Sequence, residues 1–332
     1  MNFTRRDIDV ANVRAMAWVG DSLINVAGGW RGLMPDRRQS WMVYGDSFDT
    51  AVCSPAGDVI VLAEGVGTKG LVLDETGHVV REINRSYYEA EAYRYPVALF
   101  TLPDGRTGLV HCPEQYNQLE IEVALTGERL TASTNRAPAD IFHSRLGVSA
   151  DGSLLASAGW LWHPWGSVHV YDITRALADP RVLDNTGDCF SLRGLTQAEV
   201  AGACFVGRDM IISTTSEENE PEDADDLGPN MLARRSMDSE CYLWRIDLPQ
   251  TAGDLVTFAN GVLALNGHPR LYDAEDGELI AEWPDLNTGD SSSAITWSNT
   301  FRGPGRVAVA PSGERFAFTD GKRVVMIKVK EN

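Results

Sequence analysis

The sequence contains no long apolar run. Its 332 residues never reach the ~20 consecutive apolar residues that a membrane-spanning helix needs. The first residues, Met1 to Asp7, lack the apolar core of a secretory signal. We therefore expect a cytoplasmic protein with no membrane partner.

Positive charge is scarce. The chain has 29 lysines and arginines against 47 aspartates and glutamates, which gives a net charge of −18. A nucleic-acid-binding protein needs a basic surface to neutralise phosphates, and anionic lipid would be repelled by the same negative field. The composition therefore argues against nucleic acid and favours a protein or peptide partner, with a basic one suited to this charge.

The cysteines are few and scattered. Five occur, at positions 53, 112, 189, 204 and 241, and no two form a C-x-x-C pair. This pattern argues against a disulfide framework or a structural zinc site. No phosphate-binding loop or nucleophile–base pair stands out either. We therefore predict no catalytic residue and no cofactor.

One short turn recurs along the whole chain. Each copy joins two apolar stretches through a glycine, and the intervals between copies are 37 to 55 residues. A regular period in this range is typical of propellers and solenoids. The turn glycines are Gly20, Gly57, Gly105, Gly152, Gly207, Gly261 and Gly313.

The second copy shows what one repeat contains. Short β-branched runs at Thr50–Cys53, Val59–Leu62, Gly70–Leu73 and His78–Ile83 alternate with turns, so they predict an antiparallel meander of four strands. The fourth strands of the first and fifth repeats cannot be assigned from the pattern. The predicted units are 13–46, 49–84, 95–131, 143–184, 200–249, 254–284 and 304–330.

This pattern resembles WD40-like and quinoprotein-like β-propellers over nearly the whole chain. The resemblance implies one all-β domain, 1–332, with seven four-stranded antiparallel blades. No Trp-Asp dipeptide occurs among the nine tryptophans, so no subfamily is assigned. The last unit has only three strands, and the spare extended segment Arg6–Val10 is expected to pair with Val324–Val329 and close the ring.

The long connections belong to one set in this fold. The resemblance places the loops between second and third strands, and the links between blades, on the same face. These connections are long here, whereas the opposite set is short. Extra length on one side of a rigid scaffold favours a binding or catalytic role for that face.

Two aromatic segments lie in these long connections. The Gly159–Gly166 loop carries Trp160, Trp162, His163 and Trp165, and the Asn84–Tyr95 link carries Tyr87, Tyr88, Tyr93 and Arg94. Tryptophan, tyrosine and arginine are enriched at interfaces, so we predict partner contacts here. The alternative is that these rings pack internally. We expect at least one of the three tryptophans to be buried.

Two further features stay open at this stage. His111, His143 and His163 all fall on the elaborated face and would form a metal site if they met, although no local ligand spacing supports one. Residues 217–226 carry seven carboxylates, which favours a solvated segment or contact with a basic partner.

The function expected from these patterns is a non-catalytic scaffold that binds a protein or peptide on the loop-rich face. One alternative is a metal-dependent lyase or hydrolase with its site over the channel mouth. The other is a small-ligand sensor.

Overall fold

The computed structural model describes residues 1–29, 31–34, 43–45, 47–162, 165–186, 190–191, 197–217, 227–295 and 306–330. Within these residues the regular secondary structure is almost entirely antiparallel β-sheet. The exceptions are α1 (Ile173–Ala178) and two short 3-10 helices, Ala90–Ala92 and Pro180–Asp184. No helix in this part of the chain is long and apolar enough to cross a membrane.

The strands are numbered in chain order. The first fourteen are β1 (Phe3–Asp9), β2 (Met16–Val19), β3 (Ser22–Asn25), β4 (Arg31–Met34), β5 (Thr50–Cys53), β6 (Val59–Ala63), β7 (Lys69–Asp74), β8 (Val79–Asn84), β9 (Val97–Thr101), β10 (Thr107–His111), β11 (Glu120–Val123), β12 (Ile141–Phe142), β13 (Leu146–Val148) and β14 (Leu154–Ser157). The others are β15 (Trp160–Leu161), β16 (Trp165–Gly166), β17 (His169–Asp172), β18 (Phe190–Ser191), β19 (Val200–Val206), β20 (Asp209–Thr214), β21 (Met231–Arg235), β22 (Tyr242–Asp247), β23 (Leu255–Phe258), β24 (Gly261–Ala264), β25 (Arg270–Asp273), β26 (Leu279–Glu282), β27 (Arg306–Val309), β28 (Arg315–Thr319) and β29 (Arg323–Val329).

Seven sheets of the described chain form a closed ring. Within these sheets, neighbouring strands also follow one another along the chain, except that β14 pairs with β17 in the fourth blade and β1 pairs with β29 in the last. The innermost strand of each sheet contacts that of the next, and the last of these strands contacts the first, in the order β2, β5, β9, β13, β19, β23 and β27. The fold is therefore a seven-bladed β-propeller, as the repeat predicted.

The N-terminus closes this ring. Strand β1 pairs antiparallel with β29, from Phe3 opposite Val329 to Asp9 opposite Arg323. The last blade thus combines both ends of the chain, in the order β1-β29-β28-β27. This confirms the predicted closing strand, although it spans Phe3–Asp9 rather than Arg6–Val10. The pairing covers an edge that would otherwise be open to aggregation.

The described residues do not form four strands in every blade. Blade 5 is complete, with β19 to β22, so its unassigned fourth strand is β22. Blade 3 contains β9 to β11, and an isolated bridge between Glu122 and Arg129 stands beyond them. The fourth strand of blade 4 is β18, which lies past the expected end of that unit at residue 184. In blade 1 the described residues form β2 to β4.

The core lies between the blades, and β6 shows why. All five of its residues are buried. Side chains alternate between the faces of a strand, so Val59 and Val61 pack against blade 3 while Ile60 and Leu62 pack against blade 1. Each such burial contributes about 1.5–3 kcal/mol. The sequence of such a middle strand is therefore an unbroken apolar run.

The recurring turns need a left-handed residue, and glycine supplies it in six of the seven. These glycines have φ between 56° and 86°. The sixth turn differs, because Ala259 takes the positive φ of 54°. Gly261 is required there for another reason: a β-carbon at this position would lie 2.2 Å from the carbonyl oxygen of Tyr272. No side chain fits so close to backbone.

Candidate functional site

An eighth small sheet was not foreseen from the sequence. It joins β12, which precedes blade 4, to the hairpin of β15 and β16, which lies between the second and third strands of that blade. Phe142 pairs with Trp160, and Trp160 with Gly166. The flanking glycine Gly159 permits the close approach, because a β-carbon there would lie 2.0 Å from the carbonyl oxygen of Phe142.

The pairing of β12 with β15 builds an aromatic stack. The rings of Phe142 and Trp160 have centroids 3.8 Å apart and planes only 2° from parallel. Tyr93 meets both rings nearly edge-on, at 5.5 Å from Phe142 and 6.4 Å from Trp160. All three side chains are buried, so they form a rigid base.

Three partly exposed rings extend this base. Tyr116 lies 4.6 Å, Tyr88 5.8 Å and Trp162 6.0 Å from Phe142, each within 30° of its plane. Tyr88 is 48% exposed and Trp162 49% exposed. We call Tyr88, Tyr116, Phe142, Trp160 and Trp162 the aromatic platform. It is assembled from long connections of blades 2, 3 and 4, so these converge on one surface.

The residues predicted to bind a partner include both exposed rings and buried supports of the platform. Trp162 and Tyr88 are partly exposed members, Tyr87 is 81% exposed on the same link, and Trp165 is half-buried in β16. Trp160 and Tyr93 are buried supports, which confirms the expectation of at least one buried tryptophan. His163 lies outside the described residues.

Arg85 anchors the link that carries Tyr88. Its buried guanidinium donates to the carbonyl oxygens of Gly67, Ala90 and Tyr93, and it lies 4.4 Å from the centre of the Tyr93 ring. Burial lowers the pKa of this guanidinium. Three backbone carbonyls drawn to one side chain fix the shape of residues 86–95. Tyr88 therefore stands on an ordered loop.

Arg94 points to a different place, the channel at the centre of the ring. It forms an ion pair with Asp254, which also lies 3.3 Å from Nη1 of Arg145. Arg94, Asp254 and the pair Arg306–Asp49 line a cavity of about 200 Å³. This is smaller than the 300–1,000 Å³ common for ligand pockets, and these charges already neutralise one another.

Two of the histidines considered as metal ligands, His111 and His143, are buried beside different partners. His111 is buried with Nε2 3.3 Å from Oε1 of Glu122. Burial opposes ionisation of Glu122, yet His111 and Arg81 together lower its pKa to about 2. His143 is buried with Nδ1 3.0 Å from the hydroxyl of Ser157, and burial lowers its pKa to about 3.

Within the described part of the chain, no three His, Cys, Asp or Glu side chains are grouped to hold a metal ion. His163, the third histidine of that hypothesis, is not among the described residues, so the hypothesis stays a prediction. Of the acidic segment 217–226, only Glu217 is among the described residues.

Sequence reasoning missed Tyr116 and Phe142. Each lies in a long connection that the pattern had flagged, but neither belongs to an aromatic run. Tyr116 donates a 2.6 Å hydrogen bond to Asp140. Burial, together with this carboxylate, raises the pKa of Tyr116 to about 12, so the phenol keeps its proton. The only nearby residue that the sequence analysis had named was His143, a candidate metal ligand that directly follows Phe142.

Solved structures share this architecture. A WD40 propeller in the crystal structure of the mitotic checkpoint complex is similar with a TM-score of 0.61 and 10% identity, over 98% of this chain and 94% of that one. BamB from Moraxella catarrhalis, a quinoprotein-like propeller, is similar with a TM-score of 0.55 and 14% identity, over 100% of this chain and 99% of that one. The β-propeller resemblance is confirmed. Identities this low show the fold alone. No protein-family model and no curated protein matches the sequence.

Proposed function

We propose that this propeller is a non-catalytic scaffold that docks a protein or peptide on the aromatic platform. The observation that carries the proposal is the exposure of Tyr88 and Trp162 on a buried, stacked base. Large rings held in place by packing lose little conformational freedom on binding, which is why they dominate interface energetics.

The surroundings of the platform support docking over chemistry. Its rings come from four separate connections, so a partner would contact several blades at once. Propellers serve as platforms whose function lies in their loops, and the similar propeller in the mitotic checkpoint complex is itself part of an assembly. A protein partner also suits the charge of −18 better than nucleic acid does.

The test compares matched surface variants in capture experiments. Tyr88→Ala and Trp162→Ala should each weaken binding by ~2 kcal/mol or more if their rings are anchors, and the fold should stay intact because both side chains are half in solvent. Leu243→Ala and Leu279→Ala are the controls, since these two side chains are each 51% exposed on outer strands of other blades.

A partner captured by wild type and by both controls, but lost from both platform variants, would support the proposal once its affinity is measured with purified components. Equal capture by all four variants would overturn it. Loss accompanied by a lowered melting temperature would assign the rings to packing instead.

A further inference from the structure

We infer that the aromatic platform recognises a cationic side chain, arginine or lysine, on a basic segment of its partner. This inference rests on the proposed docking function and specifies the chemistry of the occupant. It follows from two features of the platform: aromatic rings exposed to solvent, and the exposed carboxylate of Asp140 in a chain of net charge −18.

The rings supply the first half of the recognition. The face of an aromatic ring carries partial negative charge, and it attracts a guanidinium or ammonium group placed within ~6 Å. Trp162 and Tyr88 both contact Phe142 and both are about half exposed. A cation placed over Tyr88 would also lie near Tyr116, because the centroids of these two rings are 4.9 Å apart.

Carboxylates supply the second half. Asp140 is exposed, and it accepts a hydrogen bond from the hydroxyl of Tyr116 within the platform itself. The link that carries Tyr88 adds Glu89 and Glu91 directly after it. A bound cation would therefore have both ring faces and negative charge within reach.

The arginines near the platform are held by other partners and do not lie among its exposed rings. Residues 85–95 and 138–162 contain three arginines and no lysine. Arg85 is buried and bonded to three backbone carbonyls, and Arg94 and Arg145 both pair with Asp254. The same ranges hold four carboxylates, and one of them, Asp151, pairs with Arg208. The negative excess that attracts a cation therefore belongs mainly to the whole chain, whose net charge is −18.

This charge also decides against a second copy as the occupant. Another copy would bring the same net charge of −18 to the same surface, and like charges oppose association. A basic segment gains from both the long-range field and the local contacts. The charge of the protein thus favours a cationic occupant over self-association.

The direct test uses a pair of fluorescein-labelled peptides in a titration followed by anisotropy. One carries three arginines separated by glycines, and its twin carries citrulline at the same places. Citrulline keeps the shape of arginine and removes its charge. We expect the arginine peptide to bind at least about tenfold more tightly than its twin.

Variants locate the binding. Trp162→Leu and Tyr88→Leu should each weaken arginine-peptide binding about tenfold, whereas Trp162→Phe should retain most of it. Asp140→Asn should weaken binding and flatten its dependence on salt. The controls are Leu243→Ala and Asp238→Asn, which remove an exposed apolar and an exposed acidic side chain from blade 5.

Equal binding of the arginine and citrulline peptides would overturn the inference, as would an arginine-peptide affinity that falls as much in the controls as in the platform variants. The first result leaves the docking function standing if the captured partner is still lost from Trp162→Ala. Failure of docking itself would appear as unchanged partner capture in every variant.

Discussion

The ring of Phe142 lies parallel to that of Trp160 at 3.8 Å, although the two residues come from different connections of the propeller. Four further rings gather around Phe142: Tyr88, Tyr93, Tyr116 and Trp162. One buried phenylalanine therefore organises a surface to which it contributes almost no exposed area of its own.

Replacing this central ring should damage both stability and binding. Phe142→Ala removes a fully buried phenyl group and leaves a cavity, so we expect a loss of about 3–5 kcal/mol in the free energy of unfolding. Phe142→Leu keeps most of the volume and should cost less than ~1.5 kcal/mol. Chemical denaturation measures both. A cost below ~1 kcal/mol for the alanine variant would show that the stack is not a packed unit.

The ring closure predicts a strong effect from the first residues. Deleting residues 1–10 removes β1 and exposes the edge of β29, so the melting temperature should fall sharply. A synthetic peptide of residues 1–10 added to the truncated protein should restore part of the loss. Arg5→Gln is the control, because it keeps β1 and removes only the exposed ion pairs of Arg5 with Asp7 and Asp285, each worth ~0–1 kcal/mol. An unchanged melting temperature after the deletion would contradict the closure.

Gly261 should tolerate no side chain. The β-carbon of Gly261→Ala would lie 2.2 Å from the carbonyl oxygen of Tyr272, so the strands β24 and β25 must move apart. We expect a cost of ~2 kcal/mol or more. Gly147→Ala is the matched control, since nothing lies within 4 Å of its added carbon. Similar melting temperatures for the two variants would refute the packing explanation.

The turns explain why the ring could be predicted from sequence. A tight reversal requires a left-handed residue, and glycine adopts that conformation without steric cost. The requirement is therefore visible in the local sequence, for example at Gly57 or Gly152. The closing strand was also predictable, because the last unit is one strand short. Ala259 marks the limit of this reasoning. Its turn takes a positive φ without glycine, and its backbone N–H donates a hydrogen bond to the carbonyl oxygen of Gly313 in the next blade, a contact distant in sequence.

The platform could be predicted only in part. Trp162 and Tyr88 were found because each sits in an aromatic run on a long connection. The stacking of Trp162 and Tyr88 on Phe142, beside Tyr116, could not be predicted. Stacking between connections that are distant in sequence leaves no periodic signal in any of them. Arg94 was grouped with the tyrosines by sequence proximity, yet its pairing with Asp254 turns it toward the channel.

Glu199 should make the stability of this face depend on pH. Its buried carboxyl accepts a 3.0 Å hydrogen bond from the backbone of Gly166, next to Trp165. Burial, with the nearby charge of Glu217, raises its pKa to about 7. The folded protein therefore holds this proton more tightly than the unfolded chain does. The stabilisation is complete below the ordinary glutamate pKa of about 4.3 and is lost as the pH rises through about 7.

Glu199→Gln tests this dependence because its amide oxygen still accepts from Gly166 but carries no charge. We expect the variant to match wild type at acid pH and to exceed it at alkaline pH by about 1–2 kcal/mol, allowing for solvent screening. Melting temperatures across the range from pH 5 to 8 measure the difference. Glu217→Gln should move the transition to lower pH, since it removes the neighbouring charge that helps to raise the Glu199 pKa. Glu314→Gln, in an exposed turn of the last blade, should follow wild type. If Glu199→Gln also loses stability with pH as wild type does, another group carries the titration and Glu199 does not.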